Sequence, residues 1–320
     1  MKFPGLKRAD ESFWIRHFHT VLIYGFLLVL CILASILDKN FLTGRNFRAL
    51  IITALPLMFV SFGQSCAVMT HGLDTSLGAI VSLTNVLTVA LMRPGEPFGW
   101  VLAVLAGLVA GLLCGALNGV LIAKGGLAPI IATISTTSIF QGLALYISPI
   151  PGGKVHTGFA KFLGQSFGNI PMAFFAIVLA LLVLRFVLNQ TPLGKAIRAV
   201  GGSEQAAYAT GIPVVKTKII AYSMAGLFGG LAGVYLSAQL YSGDPLIGTA
   251  YSLNSITATV AGGTLMCGAV GDTLGIFAGV MIITIINNIL NLMTISTFYQ
   301  YVVQGLILIL ALSLSSIRKK

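Results

Sequence analysis

The sequence predicts an all-α fold: a polytopic helical membrane protein of about ten transmembrane helices, some of them broken. Three observations carry this. Hydrophobic residues make up 57% of the chain and charged residues 8%, against roughly 25% charged in an ordinary soluble domain. Mean hydropathy is +0.96. Apolar runs of more than about 18 residues recur along the whole length, which favours helical spans over the alternating pattern of a membrane barrel. The 320 residues would suffice for two soluble domains, but this composition excludes them.

Taking about 20 residues per span, the predicted cores are 18–37, 49–69, 76–92, 98–123, 127–149, 170–189, 218–240, 252–269, 273–292 and 298–316. A cytoplasmic segment 1–17 precedes this 18–316 transmembrane domain, and a tail 317–320 follows it. The basic start and the apolar run Val21–Leu37 have the layout of a signal peptide. The run is long and no A-x-A-like site follows it, so an uncleaved first span is predicted.

The net charge of +11 does not point to nucleic acid, because the basic residues form no face with interleaved aromatics. They sit between spans and at both ends, where the anionic lipid of an inner leaflet is their neighbour. With the N-terminus inside, 13 Lys and Arg fall on the cytoplasmic side and 6 outside. That excess places both termini in the cytoplasm. Cys31, Cys66, Cys114 and Cys267 show no CxxC spacing and read as free thiols acting as small hydrophobes.

Two spans are interrupted. Span two runs into His71-Gly72-Leu73-Asp74-Thr75-Ser76, and Gly262-Gly263 breaks span eight. Broken helices at membrane depth are tolerated only where protein or a water-filled cavity satisfies the freed backbone groups, and in transporters they mark the substrate path. A loop at the membrane surface is the competing reading of 70–75, and hydropathy does not choose between them. Glycines fall in stripes: Gly107, Gly111, Gly115 and Gly119 in span four, Gly226, Gly229, Gly230 and Gly233 in span seven, and Gly271, Gly275 and Gly279 in span nine. Such stripes let neighbouring backbones approach closely and imply a tight bundle. Five spans per half would make two inverted repeats, although the residues show no convincing repeat.

One polar stretch, Thr191 to Pro213, carries its own helix signals. Thr191 is placed to cap a helix that starts at Pro192, where a proline loses no useful donor. Gly201 or Gly202 would supply a left-handed stop. Ser203 then opens a second short helix with Glu204 in its first turn, ended by Gly211 and Pro213. Two short capped helices within segment 190–217, on the cytoplasmic side, predict a docking platform.

Ionisable groups that can lie in the membrane region are few: His71, Asp74, Arg185 and Asp272. Arg185 can snorkel, and Asp272 is placed as an N-terminal acid for span nine. Asp74 either caps span three, helped by Ser76, or holds a broken-helix joint beside a pathway. Uncharged polar residues are commoner, among them Gln64, Asn85, Asn118, Thr133, Thr257, Thr264, Asn287, Asn288 and Asn291. They can bond a neutral polyol, or glue helices together at ~0.6–2 kcal/mol each. Their abundance beside so little charge favours an uncharged polar cargo. The candidates for a translocation path are Gln64, His71, Asp74, Ser76, Asn85, Asn118, Thr257, Thr264 and Asn288.

Gly194-Lys195 lacks the upstream glycine and the following Ser or Thr of a phosphate loop, and there is no HExxH, no metal-spaced Cys/His set and no GxSxG elbow. No catalytic, cofactor or metal site is predicted in this chain. Energy for uphill transport would come from another subunit or from an ion gradient. An ion-coupled carrier or a channel for a small polar solute is the alternative to a multi-subunit importer.

From Phe41 to Leu312 the residues resemble a known family. Gly72-Leu73-Asp74-Thr75-Ser76-Leu77-Gly78-Ala79 is similar to its glycine-x-Asp-Leu-Ser-x-Gly-Ala signature, and Asn118-Gly119-Val120-Leu121-Ile122 with Pro129, Ile131 and Thr133 to its next stretch. Thr191, Gly194, Ala199-Val200-Gly201-Gly202, Ala206-Ala207 and Gly211-Ile212 match its cytoplasmic segment. Gly262-Gly263-Thr264, Gly268 and Gly271 resemble its late Gly-Gly-Thr-Ser signature, and Asn288, Leu290, Tyr299 and Gln300 its last helices. The family is the permease subunits of ribose-type ABC importers, which take up monosaccharides such as ribose, xylose, arabinose or galactose.

The resemblance implies an ABC importer permease fold in a bacterial inner membrane, a second permease chain of the same or a homologous sequence, two cytoplasmic ATPases carrying ATP and Mg, and a periplasmic or lipid-anchored sugar-binding protein. The Thr191–Pro213 platform would be the coupling segment, with Gly194, Lys195, Arg198, Ala199, Gly201, Gly202, Glu204, Ala206, Ala207 and Gly211 toward the ATPase. Departures from the family pattern include Lys195 for arginine, Ser203 for asparagine, Gln205 for glutamate, Thr75 for leucine, and Ser252 and Asn254 where acids are frequent.

Overall fold

The structure, a computed structural model, describes residues 7–296 together with positions 299, 302, 305, 306 and 309. The predicted tenth span lies outside the described residues except at those five positions, and residues 1–6 and 317–320 lie wholly outside them.

The chain runs α1 (Lys7–Leu37), α2 (Gly44–Met69), α3 (Leu77–Leu91), α4 (Val101–Ala123), α5 (Pro129–Ile147) and α6 (Thr157–Gly164). A two-residue hairpin, β1 (Ser166–Phe167) with β2 (Ile170–Pro171), leads into α7 (Met172–Gln190), α8 (Pro192–Gly202), α9 (Glu204–Ala209), α10 (Val214–Leu240), α11 (Thr249–Ala261) and α12 (Thr273–Leu292). Helices α2, α4, α5, α7, α10 and α12 are long and apolar enough to cross a membrane; Val21–Leu37 of α1 and all of α3 are shorter apolar stretches.

The boundaries follow local chemistry. Thr43 caps α2 by accepting from the Asn46 amide at 3.3 Å, and His156 caps α6 through Nδ1, which accepts from the Gly158 amide at 3.1 Å. Pro129 and Pro192 stand in the first turns of α5 and α8, where a missing N–H costs nothing. Helix α1 begins at Lys7, ahead of its apolar stretch Val21–Leu37. One predicted boundary is corrected. Span eight does not reach 269: Gly262 and the left-handed Gly263 (φ 84°) end α11 at Ala261, and 262–272 is irregular.

Helices α2, α3 and α10 form the core, with α2 buried over most of its length. Two seams are backbone against backbone. A Cβ on Gly111 would lie 2.6 Å from Gly226 O, and one on Gly226 would lie 2.1 Å from Gly111 O, so α4 and α10 touch through glycine. The same holds for α11 and α12, where a Cβ on Gly279 would meet Ala258 O at 2.1 Å. The packing role read from the stripes stands, except that Gly271 precedes α12 and abuts Met69 Sδ.

An internal correspondence emerges that the residues alone did not reveal. A long helix, an irregular turn and a short helix occur twice: α2 to α3, then α10 to α11. In register, Asp74, Gly78, Ser82 and Leu83 match Asp244, Gly248, Ser252 and Leu253.

Candidate translocation and coupling site

The α2–α3 turn is a buried joint. Of the segment 70–76, only His71 is well exposed, while Asp74 and Ser76 are completely buried. Asp74 Oδ1 accepts from the Ser76 amide at 2.9 Å and from Ser76 Oγ at 2.6 Å. Asn118 Nδ2, from α4, donates to Ser76 Oγ at 2.7 Å and reaches Asp74 Oδ2 at 3.4 Å. The Gln64 amide clamps the Asp74 main chain, donating to its carbonyl at 2.8 Å and accepting from its N–H at 3.3 Å. From α5, Thr133 Oγ1 donates to Leu73 O at 3.2 Å. Asp74 binds Ser76, the residue that precedes α3, and Ser76 makes no side-chain cap bond of its own; what the bonds establish is a turn tied to α2, α4 and α5. A carboxylate taken out of water needs such donors.

A second group lies where the short helices meet. The Gly78 amide donates to Ser252 Oγ at 3.1 Å, and the Gly248 amide donates to Ser82 Oγ at 2.9 Å. Asp244 Oδ1 accepts from the Leu246 amide at 2.8 Å, two residues on, as Asp74 does from Ser76. Asn85 binds this second turn, accepting from the Asp244 amide at 2.7 Å and donating to Gly233 O at 3.2 Å. Ser82 and Ser252 were missed as bridging residues. The signal was present as Asp-x-x-x-Gly-x-x-x-Ser-Leu, once in each half.

Other sequence candidates stand apart. Among the described residues, Thr257 Oγ1 donates only into its own helix, to Leu253 O, and the buried Thr264 of the 262–272 segment has no partner for its hydroxyl. Asn288 exchanges amide bonds with Asn46, joining α12 to the start of α2. Asp272 stands at the N-cap position of α12, as expected, but its side chain makes no cap bond and instead forms a half-exposed pair with Arg185 of α7 at 3.8 Å.

The platform folds as two short helices. Thr191 Oγ1 accepts from the Gly194 amide at 3.3 Å, and Ser203 Oγ from the Ala206 amide at 3.2 Å. Gly211 takes the left-handed stop after α9 (φ 82°). One expectation is corrected: neither Gly201 nor Gly202 is left-handed. Both are inside α8, and extended Ser203 (φ −163°) ends it.

Gly201 serves close approach instead. A Cβ there would lie 1.8 Å from Met69 O and 2.6 Å from the Ala269 amide. The Ala269 amide donates to Met69 O at 3.1 Å, His71 Nδ1 lies 2.8 Å from Cys267 O, and a Cβ on Gly268 would meet Gly201 O at 2.5 Å. The end of α8 is thus wedged between the α2–α3 joint and the 262–272 segment. His71 (φ 62°) and Ala269 (φ 63°) both hold left-handed backbone there, a conformation that costs non-glycine residues energy and persists where the surroundings impose it.

The coupling candidates divide by direction. Gly194, Gly201 and Ala207 are buried against the bundle, and Ala199 is half-buried. Arg198 turns back to donate to Asn189 Oδ1 at 2.6 Å, and Glu204 is paired with Lys218. Lys195, Gly202, Ala206 and Gly211 face outward. So does Tyr208, 77% exposed, which the sequence reading overlooked although it is the one aromatic in α9.

The chain as a whole is similar to known proteins. Residues 43–312 match the family described as branched-chain amino acid transport system / permease component. A ribose import permease protein of Bacillus subtilis (strain 168) is 39% identical, covering 92% of this chain and 91% of its own. An L-arabinose transport system permease protein of Escherichia coli (strain K12) is 34% identical over 93% of this chain and 91% of its own. A D-allose transport system permease protein of the same strain is 32% identical over 93% and 92%. No solved structure matches the chain.

Proposed function

We propose that this chain, which belongs to the branched-chain amino acid transport system / permease component family, is the membrane-spanning permease subunit of an ATP-driven importer of a monosaccharide. The family description names an amino acid, whereas relatives matched over nine-tenths of the chain are named for ribose, allose and arabinose. The neutral side chains of the interior favour the sugar. A zwitterion calls for buried charges, and Asp74 already spends its carboxylate on Ser76 and Asn118.

The observation that carries the mechanism is the wedge at Gly201. A cytoplasmic ATPase that moves the α8–α9 platform would act on Met69 and on Ala269 together, and through them on α3 and α11. Alternating access would follow as these short helices rock against the long ones. We read ten spans in the domain 18–316: the six long helices, Val21–Leu37, α3, α11 and the segment 298–316. Both termini and segment 190–217 lie inside. ATP and Mg belong to partner ATPases; a second permease chain completes the path, and a sugar-binding protein delivers cargo.

Copurification tests the reading. In mild detergent, the tagged chain expressed with its neighbouring coding regions retains an ATPase subunit with tandem phosphate loops. Sugar uptake that runs on an ion gradient with no such subunit would favour an ion-coupled carrier.

A further inference from the structure

A cavity of about 480 Å³ lies between α2, α4, α6, α7 and α10, a volume within the usual range of small-molecule sites. Its lining is hydrocarbon and aromatic, including Phe59, Trp100, Leu108, Ala176, Leu179 and Phe228. A polyol has little to bond there: the Tyr235 hydroxyl already donates to Ile52 O, and the Trp100 indole N–H is the other polar group of the lining. Of its lining, Phe162 on α6 and Leu179 and Val183 on α7 are exposed.

The internal correspondence explains why the space exists. By order, α7 stands to the second half as α1 stands to the first, and α12 corresponds to α4. Ile23 of α1 is packed into a cluster with Ala278 and Ile282 of α12. Helix α7 packs against α2 instead, and the cavity separates it from α4.

We infer that this cavity holds one acyl chain of a membrane phospholipid, with the phosphate at Lys161. A chain that crosses the bilayer is bathed in acyl chains, so the medium itself supplies an occupant. The charge is placed to match. Lys161 is in the last turn of α6, between the lining residues Phe159 and Phe162, is exposed, and pairs with no carboxylate among the described residues. Trp100, stacked on Phe159 with ring centroids 5.4 Å apart, closes the same end, and tryptophan and lysine at a membrane boundary favour the headgroup level. The site rests on the membrane reading and not on the cargo or the ATPase.

Trp100 reports the occupant directly, because Trp14 is the only other tryptophan. In a Trp14→Phe background, purified and delipidated protein is titrated with phosphatidylglycerol carrying brominated acyl chains. The expected result is quenching of Trp100 that saturates near one lipid per chain. It should be lost in Ala176→Phe and in Val183→Phe, each checked for an unchanged elution profile. Lys161→Glu should raise the lipid concentration for half-quenching several-fold, and brominated diacylglycerol, which lacks the phosphate, should be insensitive to that change. Native mass spectrometry of the unaltered chain should retain one phospholipid. Absence of quenching, quenching that persists in both filled variants, or Leu179→Cys cross-links between two copies with lipid excluded would each overturn the assignment.

Discussion

Ser252 Oγ accepts from the Gly78 amide at 3.1 Å and donates to Thr75 O at 3.0 Å. The first turn of a helix leaves its amides without intrahelical partners, and here a residue of the other half supplies one. Ser82 repays the arrangement at Gly248. The two short helices meet closely here: a Cβ on Gly78 would lie 2.4 Å from Gly248 O.

Ser82→Ala and Ser252→Ala should therefore each cost about 1–3 kcal/mol, the price of a buried amide left without an acceptor. Thermal unfolding of the purified variants in detergent measures this. Equal midpoints for both variants and the parent would show that the exchange holds nothing together.

Gly201→Ala should cut uptake on the order of tenfold or more while the chain still inserts, since overpacking of this kind costs roughly 1–3 kcal/mol. Its neighbour is the control. A Cβ on Gly202 finds nothing nearer than Ala269 Cβ at 3.7 Å, so Gly202→Ala should transport normally. Parallel uptake assays with membrane quantitation decide it, and equal behaviour of the two variants would remove the wedge from the mechanism.

Tyr208→Ala should weaken association with the ATPase by about 2 kcal/mol if it is a central anchor of that contact, with Tyr208→Phe retaining most of the affinity. Ala206→Trp, on the same exposed surface, should block docking outright. Pull-down from detergent, with fold checked by melting, reads both; full retention of the ATPase by Tyr208→Ala would move the interface elsewhere.

Asp74→Ala should destabilise more than Asp74→Asn. The alanine strands two Ser76 donors, each worth about 1–3 kcal/mol when buried and unmet, while Asn118 keeps its bond to Ser76 Oγ; the amide oxygen of asparagine can still accept from the Ser76 amide. Denaturation midpoints ranked in the reverse order would contradict the Asp74–Ser76 geometry.

Much of this was legible in the residues. Hydropathy located α2 and α12, and Thr191, Ser203 and Gly211 announced the platform because caps act within four residues of their helix ends. The bonds that define the joint were not legible, since Gln64, Asp74 and Asn118 meet only after three helices pack. Gly201 was misread for a related reason: a glycine at the end of a helix signals either positive φ or a close neighbour, and Met69 is 132 positions away. The halves hid their likeness because only a few positions around each turn retain it.

The glycine seam between α4 and α10 restricts where the molecule can bend. Two helices joined backbone to backbone, with Gly226 against Gly111 and Gly115, have no long side chains between them to change rotamer and absorb a displacement. The expectation is that they move as a single girder. Compliance is left to the stretches with irregular backbone, 70–76, 241–248 and 262–272, so a pulling or labelling experiment should find distances within the girder constant through the transport cycle, while distances from it to α3 and α11 change.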